Sequence, residues 1–345
     1  MKPSVKRLLN LLFILGMLGL LIYIAFGSNE LVNAWDVLMS ISFRWVLACF
    51  GCIAAHVLFD ALSTHSFLKT QNAPITFLHA VSVSITGYFY SNITPGSSGG
   101  QPIQIYELRK QNVPVGISTS ALCVKFIFIQ LSIILPCTVL WILNKDFVAG
   151  QIGAMGPFLI LGLILTASAI LLLLLLLINK SLVRRFTLWL LRIGVKLHIV
   201  KNPDSASQKL TDMIETFHGS IQALLRHPWE IGRQMIYSTL QMLSLMLVVL
   251  CVYHAFGLWE VPWHRLLTLA YLIFISASYI PLPGGSGAQE GGFLTFFAGL
   301  YPAGQATLAL LTWRFFGYYL ILLVGITVNL VRSMKSSRSR KRGDA

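Results

Sequence analysis

Two cations stand inside apolar stretches where a charge is costly. Lys125 lies within residues 117–143 and Arg314 within residues 306–331, and both stretches are otherwise almost free of ionisable side chains. A cation in hydrocarbon needs a counter-ion, a water-filled cavity or an anionic ligand. Lys125 follows Gln101 by 24 residues, Arg314 follows Gln289 by 25, and a phenylalanine comes directly after each cation. Each glutamine belongs to a Gly/Pro/Ser cluster, Asn92-Ile-Thr-Pro-Gly-Ser-Ser-Gly-Gly-Gln-Pro102 and Pro281-Leu-Pro-Gly-Gly-Ser-Gly-Ala-Gln-Glu290. Aligned without gaps, Pro95 meets Pro283, Gly96 meets Gly284, Ser98 meets Ser286, Gly99 meets Gly287 and Gln101 meets Gln289. The two clusters are 188 residues apart. The spacing suggests an internal repeat that carries one cation per copy.

These residue types suit a phosphate. Arg314 offers a bidentate fork and Lys125 a point charge. Gly99 and Gly287 are expected to allow tight backbone packing, and their N–H groups can approach an anion closely, because no Cβ intervenes. Gln101, Gln104, Gln289, Glu290, Ser98 and Ser286 would add polar contacts to a lipid headgroup. Pro95, Gly96, Gly100, Pro283, Gly284 and Gly285 are expected to make the bends. A competing reading stands beside this one, in which the cations pair internally with Glu107, Glu290 or Asp60.

Other ionisable groups carry weaker signals. Asp60 has His56 at i−4 and His65 at i+5; the i−4 pair shares a helix face and could relay protons, but a structural His–Asp hydrogen bond is the expected role. Cys49 and Cys52 form a CxxC inside an apolar run, where small apolar packing is the expected role. No catalytic residue, metal-ligand spacing, nucleotide motif or cofactor motif is found.

The elements that position these groups follow from composition. The chain has 345 residues, 56% hydrophobic and 11% charged, too few charges to cover a soluble surface. Apolar stretches at residues 8–26, 45–68, 117–143, 155–178, 235–256 and 306–331 have the length of membrane spans. Two more, 75–93 and 266–280, run into the Gly/Pro/Ser clusters, which lipid-facing helices do not tolerate. If both are spans, Lys and Arg split evenly, 12 to a side. If both are re-entrant hairpins, 21 fall inside and only Arg44, Lys145 and Arg265 fall outside. The positive-inside rule selects the second arrangement.

The expected fold is therefore all-α: a polytopic membrane protein of six spans and two re-entrant helical hairpins in an inverted repeat. Residues 1–179 form an N-terminal half with the loop 92–104, and residues 234–331 a C-terminal half with the loop 281–293. Between them, residues 180–233 are basic and amphipathic, with Leu210, Ile214, Phe217, Ile221 and Leu224 at helical spacing and Asp204 as the expected N-cap. This segment is expected on the cytoplasmic face with both termini, and the basic tail 332–345 is expected to be disordered. The net charge of +14 suits anionic lipid better than nucleic acid.

The segments Ile93-Thr-Pro-Gly-Ser-Ser-Gly-Gly-Gln-Pro-Ile-Gln-Ile-Tyr106 and Pro281-Leu-Pro-Gly-Gly-Ser-Gly-Ala-Gln-Glu-Gly-Gly-Phe293 resemble the flippase-like transmembrane region of bacterial lysylphosphatidylglycerol synthases. The likeness covers about residues 6–331. It implies a multi-pass plasma-membrane protein of a bacterium that moves anionic or aminoacylated phospholipid, such as (lysyl-)phosphatidylglycerol, between leaflets. The alternative it implies is a phosphatidylglycerol lysyltransferase, or the membrane subunit of a split synthase, acting in resistance to cationic peptides. The full synthases carry a cytoplasmic aminoacyltransferase domain. This sequence ends at Ala345, without room for one, so a separate aminoacyltransferase is the expected protein partner of the second reading. Membrane phospholipid is the expected ligand, and self-association is left open. No ATP motif is present, so movement would be passive or ion-coupled.

Overall fold

The computed structural model describes residue 37 and residues 39–196 and 202–329. The expected first span at residues 8–26, both termini and the tail lie outside them. Among the described residues all regular structure is helical. Five helices are long and apolar enough to cross a membrane: α1 (Phe43–Thr70), α4 (Val115–Leu143), α6 (Gly156–Ile178), α9 (Pro228–Ala255) and α12 (Gln305–Asn329). They coincide with the expected spans to within a few residues, except that α9 starts at Pro228 rather than near 235. Proline at a first helical position costs no hydrogen bond, and His227 stands before it as the cap.

Two further pairs of helices are shorter, each pair joined by a turn. α2 (Phe77–Ile93) is followed by a single 3₁₀ turn, Pro95–Ser97, and by α3 (Gly100–Lys110). α10 (Trp263–Ala277) is followed by the turn Pro283–Gly285 and by α11 (Ala288–Phe297). At 1.5 Å per residue, α2 and α10 reach about 25 Å at most. Each pair breaks for the same reason. The residue before the turn's proline, Thr94 or Leu282, is forced extended (φ −113 and −101). The next residue, Gly96 or Gly284, takes φ +58 or +61, a left-handed conformation that ends helical propagation. Ser98 and Ser286 then donate to the carbonyls of Pro95 and Pro283, at 2.9 and 2.8 Å. The aligned residues thus build the same turn twice.

Both pairs fold back on themselves. In the first, Gly100 packs against Ser91 and the carbonyl of Gly87, so a Cβ there would lie 2.8 Å from that carbonyl. Leu108 and Val113, at the end of α3, join the cluster of Phe67, Leu68 and Ile75 that surrounds the start of α2. In the second, Phe293 and Phe297 of α11 return to the cluster of Leu266 and Tyr253, beside the start of α10 and the end of α9. The tips of the two hairpins touch each other.

The amphipathic middle segment forms α7 (Lys180–Lys196) and α8 (Pro203–Leu225). Leu210, Ile214, Phe217, Ile221 and Leu224 fall on a helix as their spacing predicts; the last four are buried and Leu210 is half-buried. They close over the N-terminal half: Gly116 of α4 abuts the backbone of Met213 and Phe217, and Gln71 donates to the Ser220 carbonyl at 3.2 Å. The cap of α8 is not Asp204. Asn202 holds the cap position and Pro203 opens the helix, which leaves Asp204 in the first turn, where its charge still favours the helix dipole. Short α5 (Lys145–Ala149) links α4 to α6. Much of α6 is exposed apolar surface, including Phe158, Ile160, Ile164, Leu171 and Leu172, as suits a helix solvated by lipid.

Close helix crossings supply the first prediction. Gly162 of α6 packs on the backbone carbonyl of Ile275 in α10, with no space for a Cβ. Gly162→Leu should destabilise the protein by about 1–3 kcal/mol, the range for overpacking. Gly232→Ala, at a helical glycine with open space around it, should stabilise by a few tenths to about 1 kcal/mol. Thermal unfolding in detergent measures both.

Candidate functional site

Arg314 sits at the end of the first part of α12, just before a π-helical turn over Phe315–Tyr319. Its side chain is buried, and all three of its nitrogens are engaged by the second turn and the start of α11. Nε donates to Glu290 Oε1 at 2.6 Å, the terminal nitrogens reach Glu290, Gln289 Oε1 at 2.7 Å, and the Gly284 carbonyl at 3.3 Å. Glu290 in turn accepts the Gly287 N–H at 2.7 Å. The π turn brings the Tyr318 ring to 5.1 Å from the guanidinium, and its hydroxyl donates to the Asn92 carbonyl on the first turn. Arg314 therefore organises the second turn and, through Tyr318, ties it to the first.

Lys125 occupies a different setting. Its ammonium, buried on α4, donates to Asp60 Oδ2 and to Thr64 Oγ1 on α1, both at 3.1 Å. Asp60 also accepts from Ser84 Oγ of α2 at 2.5 Å and from Gln241 Nε2 of α9 at 3.2 Å. Gln241 Nε2 reaches the Tyr88 hydroxyl as well, at 2.7 Å, whereas its Oε1 is buried without a partner. Four helices thus converge on one carboxylate. Beside it lies a cavity of about 140 Å³, bounded by Lys125, Asp60, Tyr88, Ser91, Gln101, Gln104 and Gln241 among others. One water needs roughly 10–15 Å³ by the same measure, so the space admits a polar group of several atoms.

Of the residues singled out in the sequence, Asp60, Lys125, Gln101, Gln104 and Gly100 line this cavity. Arg314, Gln289, Glu290 and Gly284 form the second cluster, and no residue is common to the contacts of the two cations. The internal partners are Asp60 for Lys125 and Glu290 for Arg314; Glu107 pairs instead with Lys110 at 2.9 Å. Ser98 and Ser286 spend their hydroxyls inside their own turns.

Two expectations need correction. His56 does not bond Asp60: its Nδ1 lies 2.9 Å from the Gln241 carbonyl and its ring packs on Tyr88, while Asp60 is already served by Lys125, Ser84 and Gln241. Gly287 is not needed for close packing, since a Cβ there would meet nothing within 4 Å; its φ of +85 is what excludes other residues. Gly99 does pack closely, against Thr94 and the Tyr90 carbonyl. The sequence reading missed Tyr88, Ser84, Ser91 and Gln241. Their signal was polarity inside apolar helices. Cys49 and Cys137 lie in the apolar core, and Cys52 Sγ stands 4.0 Å from Cys251 Sγ, as expected for packing.

The Arg314–Glu290 pair gives the second prediction. Arg314→Met strands a largely buried carboxylate and should cost about 3–5 kcal/mol, whereas adding Glu290→Met should recover most of that loss. A double-mutant cycle on thermal stability measures it. Additive losses would show that the two side chains do not act together.

No solved structure matches the chain. A UPF0104 membrane protein of Archaeoglobus fulgidus is 27% identical over 107 residues, which is 30% of this chain and 33% of the relative. The chain thus spans about a third of the length of that curated relative. The family described as the lysylphosphatidylglycerol synthase TM region matches residues 7–325. That match covers most of the sequence, including both hairpins, four of the five long apolar helices in full and α12 as far as residue 325. The protein is a multi-pass membrane protein that belongs to the lysylphosphatidylglycerol synthase TM region family.

Proposed function

We propose that this protein is a flippase-like lipid translocase for anionic or aminoacylated phospholipid such as (lysyl-)phosphatidylglycerol. The observation that carries the reading is the cavity beside Lys125, bordered by Asp60, Tyr88, Gln101, Gln104 and Gln241 as well as by apolar side chains, among helices with exposed apolar surface. A headgroup phosphate would enter this cavity and meet the Lys125 ammonium, while Gln101, Gln104, Ser91 and Tyr88 would position the rest of the headgroup. The acyl chains would stay in the bilayer. Gln289, Glu290 and Arg314 would hold the second turn against the first, and so shape the cavity's surroundings.

The topology belongs to the same proposal: six spans, two re-entrant hairpins inverted relative to each other, and both termini cytoplasmic in a bacterial plasma membrane. It is supported by the charge distribution of 21 against three. It is supported too by the way each hairpin ends near where it began, one beside α8 and the other beside the end of α9. α7 begins two residues after the last residue of α6 and carries five Lys or Arg with no acid. Phe186, Trp189 and Ile193 are exposed on it. Such a helix suits an anionic membrane surface.

Purified protein reconstituted in liposomes should move labelled phosphatidylglycerol between leaflets. Loss of one charge-assisted contact is worth ~2–3 kcal/mol, so Lys125→Met should bind the headgroup roughly 30- to 150-fold more weakly. A stable Lys125→Met variant with unchanged translocation would remove Lys125 from the site. A chain that serves only as the membrane subunit of a synthase would move no lipid alone, and would support lysyl transfer only with a separate aminoacyltransferase. For topology, single reporter cysteines at Ser207 and Leu258 should label from opposite sides of the membrane. Labelling of position 207 from outside intact cells would overturn the arrangement.

A further inference from the structure

Lys125 holds one positive charge and already serves one anion. Its ion pair with Asp60 is buried, with the two side chains 7% and 3% exposed. A lipid phosphate arriving in the adjoining cavity would be a second anion on the same ammonium. Two anions sharing a desolvated site push protons onto whichever group binds them more readily. A phosphodiester is too acidic to take one, so the proton goes to the carboxylate. From this we infer that Asp60 is a proton-binding site linked to headgroup binding: phosphate takes Lys125 from Asp60, and Asp60 takes up one proton from water. The inference rests on the translocase reading for the identity of the anion, and it supplies that reading with a coupling ion.

The surroundings suit both states of the carboxyl. When Asp60 is ionised, it accepts from Lys125, Ser84 and Gln241 Nε2. When it is protonated, it needs an acceptor for its new O–H. Gln241 Oε1 is buried without a partner on the very amide that touches Asp60. Rotating that amide exchanges its donor for this acceptor, and the Tyr88 hydroxyl can turn from accepting to donating. Asp60 and Gln241 both border the cavity, which gives a proton a way in. The titratable groups around Asp60 are His56 on its own helix, Tyr88 on α2 and Lys125 on α4; α9 contributes the uncharged Gln241. His56 is the one rival for the proton. It is engaged by a backbone carbonyl and makes no hydrogen bond to Asp60 or Lys125.

The experiment is calorimetric titration of the purified full chain in detergent with dihexanoyl-phosphatidylglycerol, in buffers of equal pH and different ionisation enthalpy. Uptake approaching one proton per lipid is expected near neutral pH, with affinity falling about tenfold per pH unit where the linkage is complete. Asp60→Asn should bind with no proton uptake, and with an affinity that is flat across about pH 5 to 8, where an ordinary histidine titrates. His56→Gln should keep the uptake. Wild-type binding without proton uptake would overturn the inference even if no variant folds, as would uptake that persists in Asp60→Asn or vanishes in His56→Gln. Liposome translocation keeps the two readings apart. Lipid movement with no proton linkage sinks this inference and leaves the translocase standing. Proton-linked binding with no lipid movement does the reverse.

Discussion

A charge placed in hydrocarbon must be answered inside the protein, and that requirement shapes the centre of this molecule. Asp60 and Lys125 answer each other, but a lone ion pair would still leave carboxylate lone pairs and ammonium protons unsatisfied. Thr64, Ser84 and Gln241 complete the set. Doing so brings α1, α2, α4 and α9 to one point. The same logic extends along the contact between α1 and α9, which run antiparallel. His56 meets the Gln241 carbonyl, Ser63 donates to Gln234 at 2.5 Å, and Ser66 donates to the buried Glu230 at 2.7 Å. Lipid offers apolar helices little reason to associate, so a seam of polar contacts and small residues sets which faces meet.

The two cations that follow the aligned loops stand in different settings. Arginine's planar fork fits a fixed constellation of acceptors, and Arg314 spends all of it on Glu290, Gln289 and the Gly284 carbonyl. Lysine is a flexible point charge with rotatable donors. Lys125 donates to Asp60 and Thr64 and borders a cavity. One site reads as a fastening and the other as a place where a partner can be exchanged.

Much of the scaffold was legible in the sequence because its causes are local. The Pro-Gly pairs at 95–96 and 283–284 end helices through their own backbone geometry, and the length of an apolar run is a property of the run. The buried stripe from Ile214 to Leu224 follows from helical spacing alone. What could not be read was choice of partner. Asp60 and Lys125 are 65 residues apart, and Asp60 and Gln241 are 181 apart; nothing in either neighbourhood names the other. His56 shows the limit well. Its i−4 spacing does place it on the face of Asp60, yet a carbonyl on α9 satisfies its ring nitrogen instead. Gly287 shows another: a glycine required by φ and a glycine required by space look the same in sequence.

The difference between the two settings has a source one residue before the turns. Each turn interrupts a helix and frees backbone groups that need partners. In the first turn Thr94 supplies them: its hydroxyl donates to the Tyr90 carbonyl at 2.7 Å and accepts the Gly99 N–H at 2.9 Å. The aligned residue in the second turn is Leu282, which has no hydroxyl. There the work passes to charged groups, with Glu290 accepting the Gly287 N–H and Arg314 covering the Gly284 carbonyl. Because a threonine closes the first turn, Lys125 is not needed to hold it. That leaves the first cation facing Asp60 and the cavity, while the second is consumed in keeping its own loop folded.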